Sequence, residues 1–179
     1  MKVLKKVLLV VLALVALPFI VALFVKKEYT VEREVVIAKP KQDVFAYIKL
    51  LKNQNEFSKW AKMDPDMVKT FKGEDDTVGF VSAWDSKKDD VGAGEQTIAK
   101  ITEGERVDYK LHFIRPFESD QTCYLSTEAA GDNGTKVKWG FHGTMAYPTN
   151  VLLVVMDMEK MIGDDLQTGL NNLKVIMEK

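Results

Sequence analysis

The stretch that decides the fold is VLLVVMDMEKMIGDDLQTGLNNLKVIM, residues 151–177. Its apolar residues recur at intervals of three and four, at Val155, Met158, Ile162, Leu166, Leu170, Leu173 and Met177. This spacing predicts one long helix from about Val151 to Met177 with a broad apolar face. Such a helix needs a large apolar surface to pack against.

The preceding chain predicts that surface as a set of strands. Seven stretches have strand-like alternation or composition, namely Tyr29–Ile37, Met67–Lys72, Val78–Trp84, Gly94–Thr102, Arg106–Ile114, Ser119–Glu128 and Thr135–Met145. The connections between the last six are short, which favours antiparallel neighbours. Asp132-Asn133-Gly134 predicts a hairpin, because Asn and Gly accept the positive φ angles of a tight turn.

Two short helices are predicted between the first and second strands. Pro40 suits a first helical turn, and an apolar stripe follows it at Val44, Phe45, Ile48 and Leu51. Phe57, Trp60 and Ala61 continue at helical spacing until Pro65. The order strand, two helices, six strands and long helix predicts an α+β fold, with a curved antiparallel sheet around the C-terminal helix.

The N-terminal segment predicts a membrane helix. Val7–Val25 carries no charge. At about 1.5 Å per residue it can cross a hydrocarbon core of about 30 Å. A cleaved signal peptide is expected to end in a small-x-small site, whereas Phe24 and Val25 stand here. A buried soluble helix would be expected to carry polar interruptions. We therefore expect residues 1–27 to be a retained transmembrane anchor and residues 28–179 to form one soluble domain.

The lysines around this segment bear on orientation. Lys2, Lys5 and Lys6 precede it, and Lys26 and Lys27 follow it. The positive-inside rule is thus nearly balanced. The sequence-based expectation is a single-pass protein with its soluble domain on the extracytoplasmic side.

Composition argues against several classes of function. A formal net charge of -1 provides no general field to attract nucleic acid, so no nucleic-acid partner is predicted. Cys123 is the only cysteine, so it cannot build a disulfide framework or a thiolate metal site. His112 and His142 fall on the polar faces of their strands, and no metal or cofactor is predicted. Gly92 and Gly94 lack the context of a phosphate loop and suggest a strand entry or bulge.

Five stretches together carry a family resemblance: KPKQDVFAYI, MDPDMVKTFKG, VGFVSAWDSKKDDVGAGEQTI, GTKVKWGFHGTM and MEKMIGDDLQTGLNNLKVIME. With the predicted order of elements, they resemble the START-like (SRPBCC) superfamily and its polyketide cyclase/dehydrase branch. The resemblance implies a helix-grip fold with a hydrophobic cavity between sheet and long helix. Members bind lipids, sterols, polyketides and other apolar molecules, and some act on them. The family has no shared catalytic set, so no catalytic residue is assigned.

Apolar faces of the strands give the candidate binding site. Alternation places Val107, Tyr109, Leu111 and Phe113 on one strand face, Val137, Trp139 and Phe141 on another, and Cys123 and Leu125 between them. The predicted ligand-binding residues are Tyr109, Leu111, Phe113, Trp139, Phe141, Met158 and Ile162. A filled core explains each of them equally well.

These patterns predict a membrane-anchored binding protein for a hydrophobic small molecule or lipid. One alternative is a cyclase- or dehydratase-like enzyme that acts on such a ligand in the same cavity. The other is a structural or protein-interaction domain with a closed core.

Overall fold

One antiparallel sheet of seven strands dominates the computed structural model, which describes residues 2–179. The strands are β1 (Glu28–Ile37), β2 (Val68–Lys72), β3 (Val81–Asp85), β4 (Ala93–Thr102), β5 (Arg106–Arg115), β6 (Ser119–Ala129) and β7 (Thr135–Thr144). Their spatial order is β1-β7-β6-β5-β4-β3-β2, with every neighbouring pair antiparallel. Consecutive strands therefore pair as hairpins from β2 to β7, while β1 joins the far side of β7.

The predicted faces of the central strands are confirmed. Val107, Tyr109 and Leu111 are buried, whereas Lys110 between them is exposed. Inward and outward positions alternate along a strand, so this parity follows from the pleat. The sheet is curved, and the chain has the α+β helix-grip architecture expected from its sequence.

Turn geometry shifts two predicted features. β3 begins at Val81 and not at Val78, because Asp76 and Gly79 both take positive φ in the preceding turn. The predicted β6–β7 hairpin is present, but its positive φ falls on Gly131 and not on Asn133. β4 begins with a register shift between Ala93 and Gly94, which confirms the bulge expected there.

The region between β1 and β2 contains more breaks than predicted. Helix α2 (Lys41–Lys49) is followed by a 3-10 turn (Leu51–Asn53), α3 (Gln54–Phe57) and α4 (Lys59–Met63). The expected second helix is interrupted because Ser58 is extended, with ψ 132°.

The C-terminal helix α5 (Met158–Met177) is shorter than predicted. It begins at Met158 and not at Val151, because Asp157 caps it by accepting a hydrogen bond from the Lys160 amide at 2.9 Å. Residues Thr149–Val154 form a separate 3-10 helix. Val155, expected on the buried face, is 79% exposed, whereas Leu166, Leu170 and Leu173 are fully buried.

Close approach of α5 to the sheet depends on Gly169. A Cβ atom there would lie 2.6 Å from Cζ3 of Trp139, which is closer than van der Waals contact allows. The helix runs beside β1, where the Arg33 guanidinium donates to the Glu159 carbonyl at 3.1 Å.

The N-terminal helix α1 (Lys2–Ala22) is long and apolar enough to cross a membrane. Hydrogen bonds tie its end to the domain. The buried Asn150 amide donates to the carbonyls of Ala22 (2.7 Å) and Val25 (2.9 Å). The Met145 amide donates to the Lys27 carbonyl at 2.7 Å.

Strand register shows which loops share the end of the sheet where α1 joins it. Glu28 pairs with Thr144, and the β5–β6 hairpin turns after Arg115 at the same end. Arg115 in turn pairs with Ala93, so the β3–β4 loop lies there too. We call this side the anchor end of the sheet.

Candidate ligand-binding cavity

A cavity of about 270 Å³ lies between the concave face of the sheet, α3, α4 and α5. Its walls are mostly apolar and come from every layer of the fold. The apolar part of the wall is formed by Leu111, Phe113, Trp139 and Phe141 of the central sheet, Ile162 and Leu166 of α5, Leu51, Trp60 and Ala61 of the helical region after β1, and Met67, Ala83, Trp84 and Val91 of the β2–β4 region.

Five predicted binding residues meet at this cavity, namely Leu111, Phe113, Trp139, Phe141 and Ile162. The other two lie elsewhere. Tyr109 is buried in the core, and its hydroxyl donates to the Ile48 carbonyl at 3.4 Å. Burial raises the pKa of this phenol well above its ordinary value. Met158 is half-buried at the first turn of α5, away from the cavity wall.

The sequence did not predict one whole wall of the cavity. Met67 directly precedes the edge strand β2, Ala83 and Trp84 belong to the neighbouring strand β3, and Trp60 belongs to α4. Alternation assigns a residue to a face, but only the curvature of the sheet brings this edge round toward α5. The sequence did offer one signal, because Trp60 and Trp84 are large aromatic residues in otherwise polar surroundings.

The three tryptophans of the chain, Trp60, Trp84 and Trp139, all line the cavity. Trp139 packs edge-to-face against Trp60, with ring centroids 6.2 Å apart. Trp84 makes a similar contact with Phe113 at 5.8 Å. These offset contacts hold the rings rigidly while leaving faces and edges available to an apolar ligand.

A minority of the lining residues carry polar side chains, namely Gln54, Asn55, Ser58, Lys69, Ser82, Gln96 and Cys123. The Gln96 amide lies 3.8 Å from the Cys123 thiol, which is a weak acceptor. Burial raises the pKa of Cys123 well above its ordinary value, so the thiol stays protonated and is a poor nucleophile. Lys69 is the one charged residue of the wall, and it forms no ion pair with residues 2–179.

Both histidines lie on the outer face of the sheet, as predicted. His112 Nδ1 is 2.8 Å from the Asp120 carboxylate, and this hydrogen bond raises the histidine pKa. His142 Nδ1 is 3.0 Å from the Thr30 hydroxyl. Within the described part of the chain, no cluster of three or more His, Cys, Asp or Glu side chains could hold a metal ion.

A small polar network fastens the β3–β4 loop, which carries Val91, to the end of α4. The buried Ser86 hydroxyl donates to the Asp64 carboxylate at 2.5 Å. Lys88 Nζ donates to the Met63 carbonyl at 2.8 Å. The Ser86 hydrogen bond is the main reason that the pKa of Asp64 is lowered. This network therefore holds one side of the cavity in place.

Comparison with known proteins agrees with this architecture. The family described as polyketide cyclase / dehydrase and lipid transport matches residues 28–178. No curated protein matches the chain in sequence.

Solved structures share the fold at low sequence identity. The di-domain ARO/CYC StfQ from the steffimycin biosynthetic pathway is 13% identical, with a TM-score of 0.62 over 85% of this chain and 51% of that one. The Aha1 dimer from Colwellia psychrerythraea is 12% identical, with a TM-score of 0.57 over 84% and 96%. Ara h 8.0201 is 17% identical, with a TM-score of 0.52 over 82% and 97%. At these identities the likeness shows the fold alone.

Proposed function

Because the chain belongs to the polyketide cyclase / dehydrase and lipid transport family, we propose that it is a membrane-anchored binding protein for a hydrophobic small molecule or lipid. The observation that carries the proposal is the cavity of about 270 Å³, which is lined mostly by apolar and aromatic side chains. A closed structural core would be packed to the density of an organic crystal and would leave no such space.

The size of the cavity suggests the size of the occupant. An apolar cavity of about 150 Å³ is known to hold one benzene molecule. The present cavity of about 270 Å³ therefore has room for a molecule of about two aromatic rings, or an equivalent part of a longer lipid.

The proposed anchor is residues 1–27, with residues 28–179 as the binding domain. The supporting observation is that α1 ends at Ala22 and β1 begins at Glu28. The connecting residues 23–27 can span at most roughly 17 Å when fully extended. A domain on so short a connection stays beside the bilayer. We place it on the extracytoplasmic side, as the weak lysine asymmetry favours.

We favour ligand binding over catalysis as the function of this cavity. A cyclase or dehydratase needs an acid or base beside its substrate. Along the described residues, the cavity wall carries no Asp, Glu, His or Tyr, and its two titratable groups are Lys69 and the protonated Cys123. The wall therefore supplies shape and apolar contact and offers no carboxylate–histidine pair.

Tryptophan fluorescence of the full-length protein in phospholipid nanodiscs tests the proposal. We expect 2-methylnaphthalene to quench the cavity tryptophans saturably. Ala83→Phe, which adds a ring inside the wall, should weaken this quenching at least tenfold. The control Ala129→Phe adds the same ring at an exposed position of β6 and should leave it unchanged. Equal, non-saturating quenching of all three proteins, with the fold intact by circular dichroism, would show that the cavity takes up no ligand.

A second experiment tests the role of the short connection. About 20 Gly/Ser residues inserted after Lys27 would lengthen the covalent connection between α1 and β1 and remove the restraint that its short length imposes. We expect unchanged affinity for 2-methylnaphthalene in detergent but slower transfer of the ligand from donor vesicles. Equally fast transfer would show that the short connection is incidental to ligand exchange.

A further inference from the structure

The connection between β7 and α5 is an uncharged surface segment. Charged residues make up 28% of the chain, yet Met145–Met156 contains none. Three of its aliphatic side chains are left at the surface: Leu152 is 43% exposed, Val154 61% and Val155 79%. Exposed aliphatic side chains that cluster in this way mark an interaction surface.

This segment packs on the end of α1. The 3-10 helix Thr149–Val154 lies against the last turns of α1, where Pro18 and Phe19 face Pro148 and Leu152 across a shallow apolar groove. Asn150 is fully buried at the junction and donates to the carbonyl of Ala22, the last residue of α1, and to that of Val25 just beyond it. Carbonyls at a helix C-terminus have no partners within the helix, so this amide fastens the two segments together.

The contact fixes the depth of the segment relative to a bilayer. The apolar run of the N-terminal helix continues to Val25 and is followed by Lys26 and Lys27. Pro18 and Phe19 lie four and three residues before the last residue of α1, Ala22, which is about 5 Å along the helix, and the uncharged residues 23–25 separate that end from the lysines. If α1 spans the membrane, these two residues lie at the depth of the acyl chains. Side chains that touch them must lie at or just below the lipid headgroups.

We propose that residues 147–155, here called the ledge, form a second membrane contact, seated at the boundary of headgroups and acyl chains in the bilayer that α1 spans. The inference rests on the proposed membrane anchoring. Tyr147, which is 45% exposed at the start of the ledge, belongs to a residue type enriched at this depth.

The β5–β6 hairpin extends the same surface. Phe117 at its tip is 82% exposed and Ile114 is 51% exposed. Strand register places this hairpin at the anchor end, as it does the start of β1 and the end of β7. A single tether leaves a domain free to rotate, whereas α1, the ledge and this hairpin tip together hold one end of the sheet toward the bilayer.

Depth-dependent quenching in vesicles tests the ledge. The full-length chain is labelled with NBD at Val155→Cys, at Leu12→Cys inside α1, or at Asp132→Cys in the β6–β7 hairpin at the opposite end. The wild-type chain, whose only cysteine is the buried Cys123, gives the background. Each protein is placed in phosphatidylcholine vesicles with shallow doxyl-labelled phosphatidylcholine or with aqueous iodide. We expect doxyl lipid to quench the labels at 155 and 12 several-fold more than the label at 132, with the reverse order for iodide.

A pair of charge substitutions at equally exposed positions tests whether the ledge itself contacts the lipid. Val154 and Val175 are almost equally exposed, at 61% and 59%, but Val175 lies on α5 near its distal end. Val154→Asp should reduce doxyl quenching at position 155 several-fold, whereas Val175→Asp should not change it.

The outcomes separate this inference from the proposed anchoring. Quenching by doxyl lipid at position 12 together with iodide access at position 155 would overturn the ledge and leave the anchor standing. Protection of position 155 from both quenchers would also overturn it, because protein, such as a second copy of the chain, would then cover the surface. Iodide access at position 12 would overturn the anchor, and the ledge with it.

Discussion

The Gln96 side chain should decide whether the cavity prefers a ligand with a hydroxyl group. It is buried, and the partner of its amide is the Cys123 thiol at 3.8 Å. Sulfur is a weak acceptor, so a ligand hydroxyl would gain a better hydrogen bond from the carboxamide than the protein provides. We therefore expect Gln96→Leu to remove a preference for hydroxylated ligands and to leave apolar binding intact.

The expected magnitude follows from one neutral hydrogen bond. Such a bond contributes about 0.5–1.5 kcal/mol net. This free energy corresponds to about a 2- to 13-fold change in dissociation constant. The comparison uses 2-naphthol and 2-methylnaphthalene, whose common two-ring skeleton matches the size of the cavity and which differ by a hydroxyl in place of a methyl group.

Tryptophan quenching measures the dissociation constants of both ligands for the wild type and for Gln96→Leu, since Trp60, Trp84 and Trp139 line the same cavity. The dissociation constant of 2-naphthol, relative to that of 2-methylnaphthalene, should rise about 2- to 13-fold from wild type to Gln96→Leu. Gln42→Leu, at an exposed position of α2, should leave the ratio unchanged. If Gln96→Leu shifts both ligands equally, the carboxamide does not contact the hydroxyl and the reasoning fails.

Two further predictions concern stability. Gly169→Ala should lower the free energy of unfolding in urea. A Cβ atom 2.6 Å from the Trp139 ring overpacks the wall by about 1–3 kcal/mol, against a helix-propensity gain of about 1 kcal/mol. Gly163→Ala should cost less, because its Cβ meets the end of the Arg33 side chain, which can move aside at the expense of its hydrogen bond to the Glu159 carbonyl, and an equal or larger loss of stability for Gly163→Ala would contradict this packing. Asp64, whose pKa is lowered chiefly by the Ser86 hydroxyl, should stabilise the fold above its unfolded pKa of about 4 and lose that effect as pH falls through its folded pKa. The stability difference between wild type and Asp64→Asn should therefore shrink in acid, and a difference that is constant from pH 7 to pH 2.5 would contradict it.

Strand alternation was sufficient to predict which faces of the central strands line the cavity. It was not sufficient to predict how far the cavity extends along them. Leu111, Phe113 and Tyr109 share one strand face, but alternation does not say how far along the strand the cavity extends. Tyr109 lies where α2 covers the sheet, and its hydroxyl reaches Ile48, so it belongs to the packed core. Phe113, at the anchor end of the same strand, lines the cavity.

The predicted start of α5 was wrong for a related reason. Apolar periodicity continues without a break from α5 back to Val151, because the buried face of the helix and the apolar ledge are adjacent in sequence. A periodic pattern does not distinguish apolar residues covered by protein from those on the surface. Asp157 was the available signal, since an aspartate before an apolar helical run is a common N-cap.

The position of the cavity gives a physical reason for the proposed attachment of the domain to a bilayer. Val91 and Phe113 reach the cavity from the anchor end of the sheet, the same end that carries α1 and the ledge. An apolar ligand that leaves the bilayer through water exposes its surface at a cost of about 25 cal/mol per Å². Each 100 Å² of exposed apolar surface therefore raises the barrier by about 2.5 kcal/mol, or about 70-fold in rate. A cavity held against the headgroups removes much of this exposure, whereas a freely rotating domain would face the bilayer only part of the time. In the proposed arrangement the short connection would shorten the distance and the ledge would fix the orientation, so efficient exchange would require both.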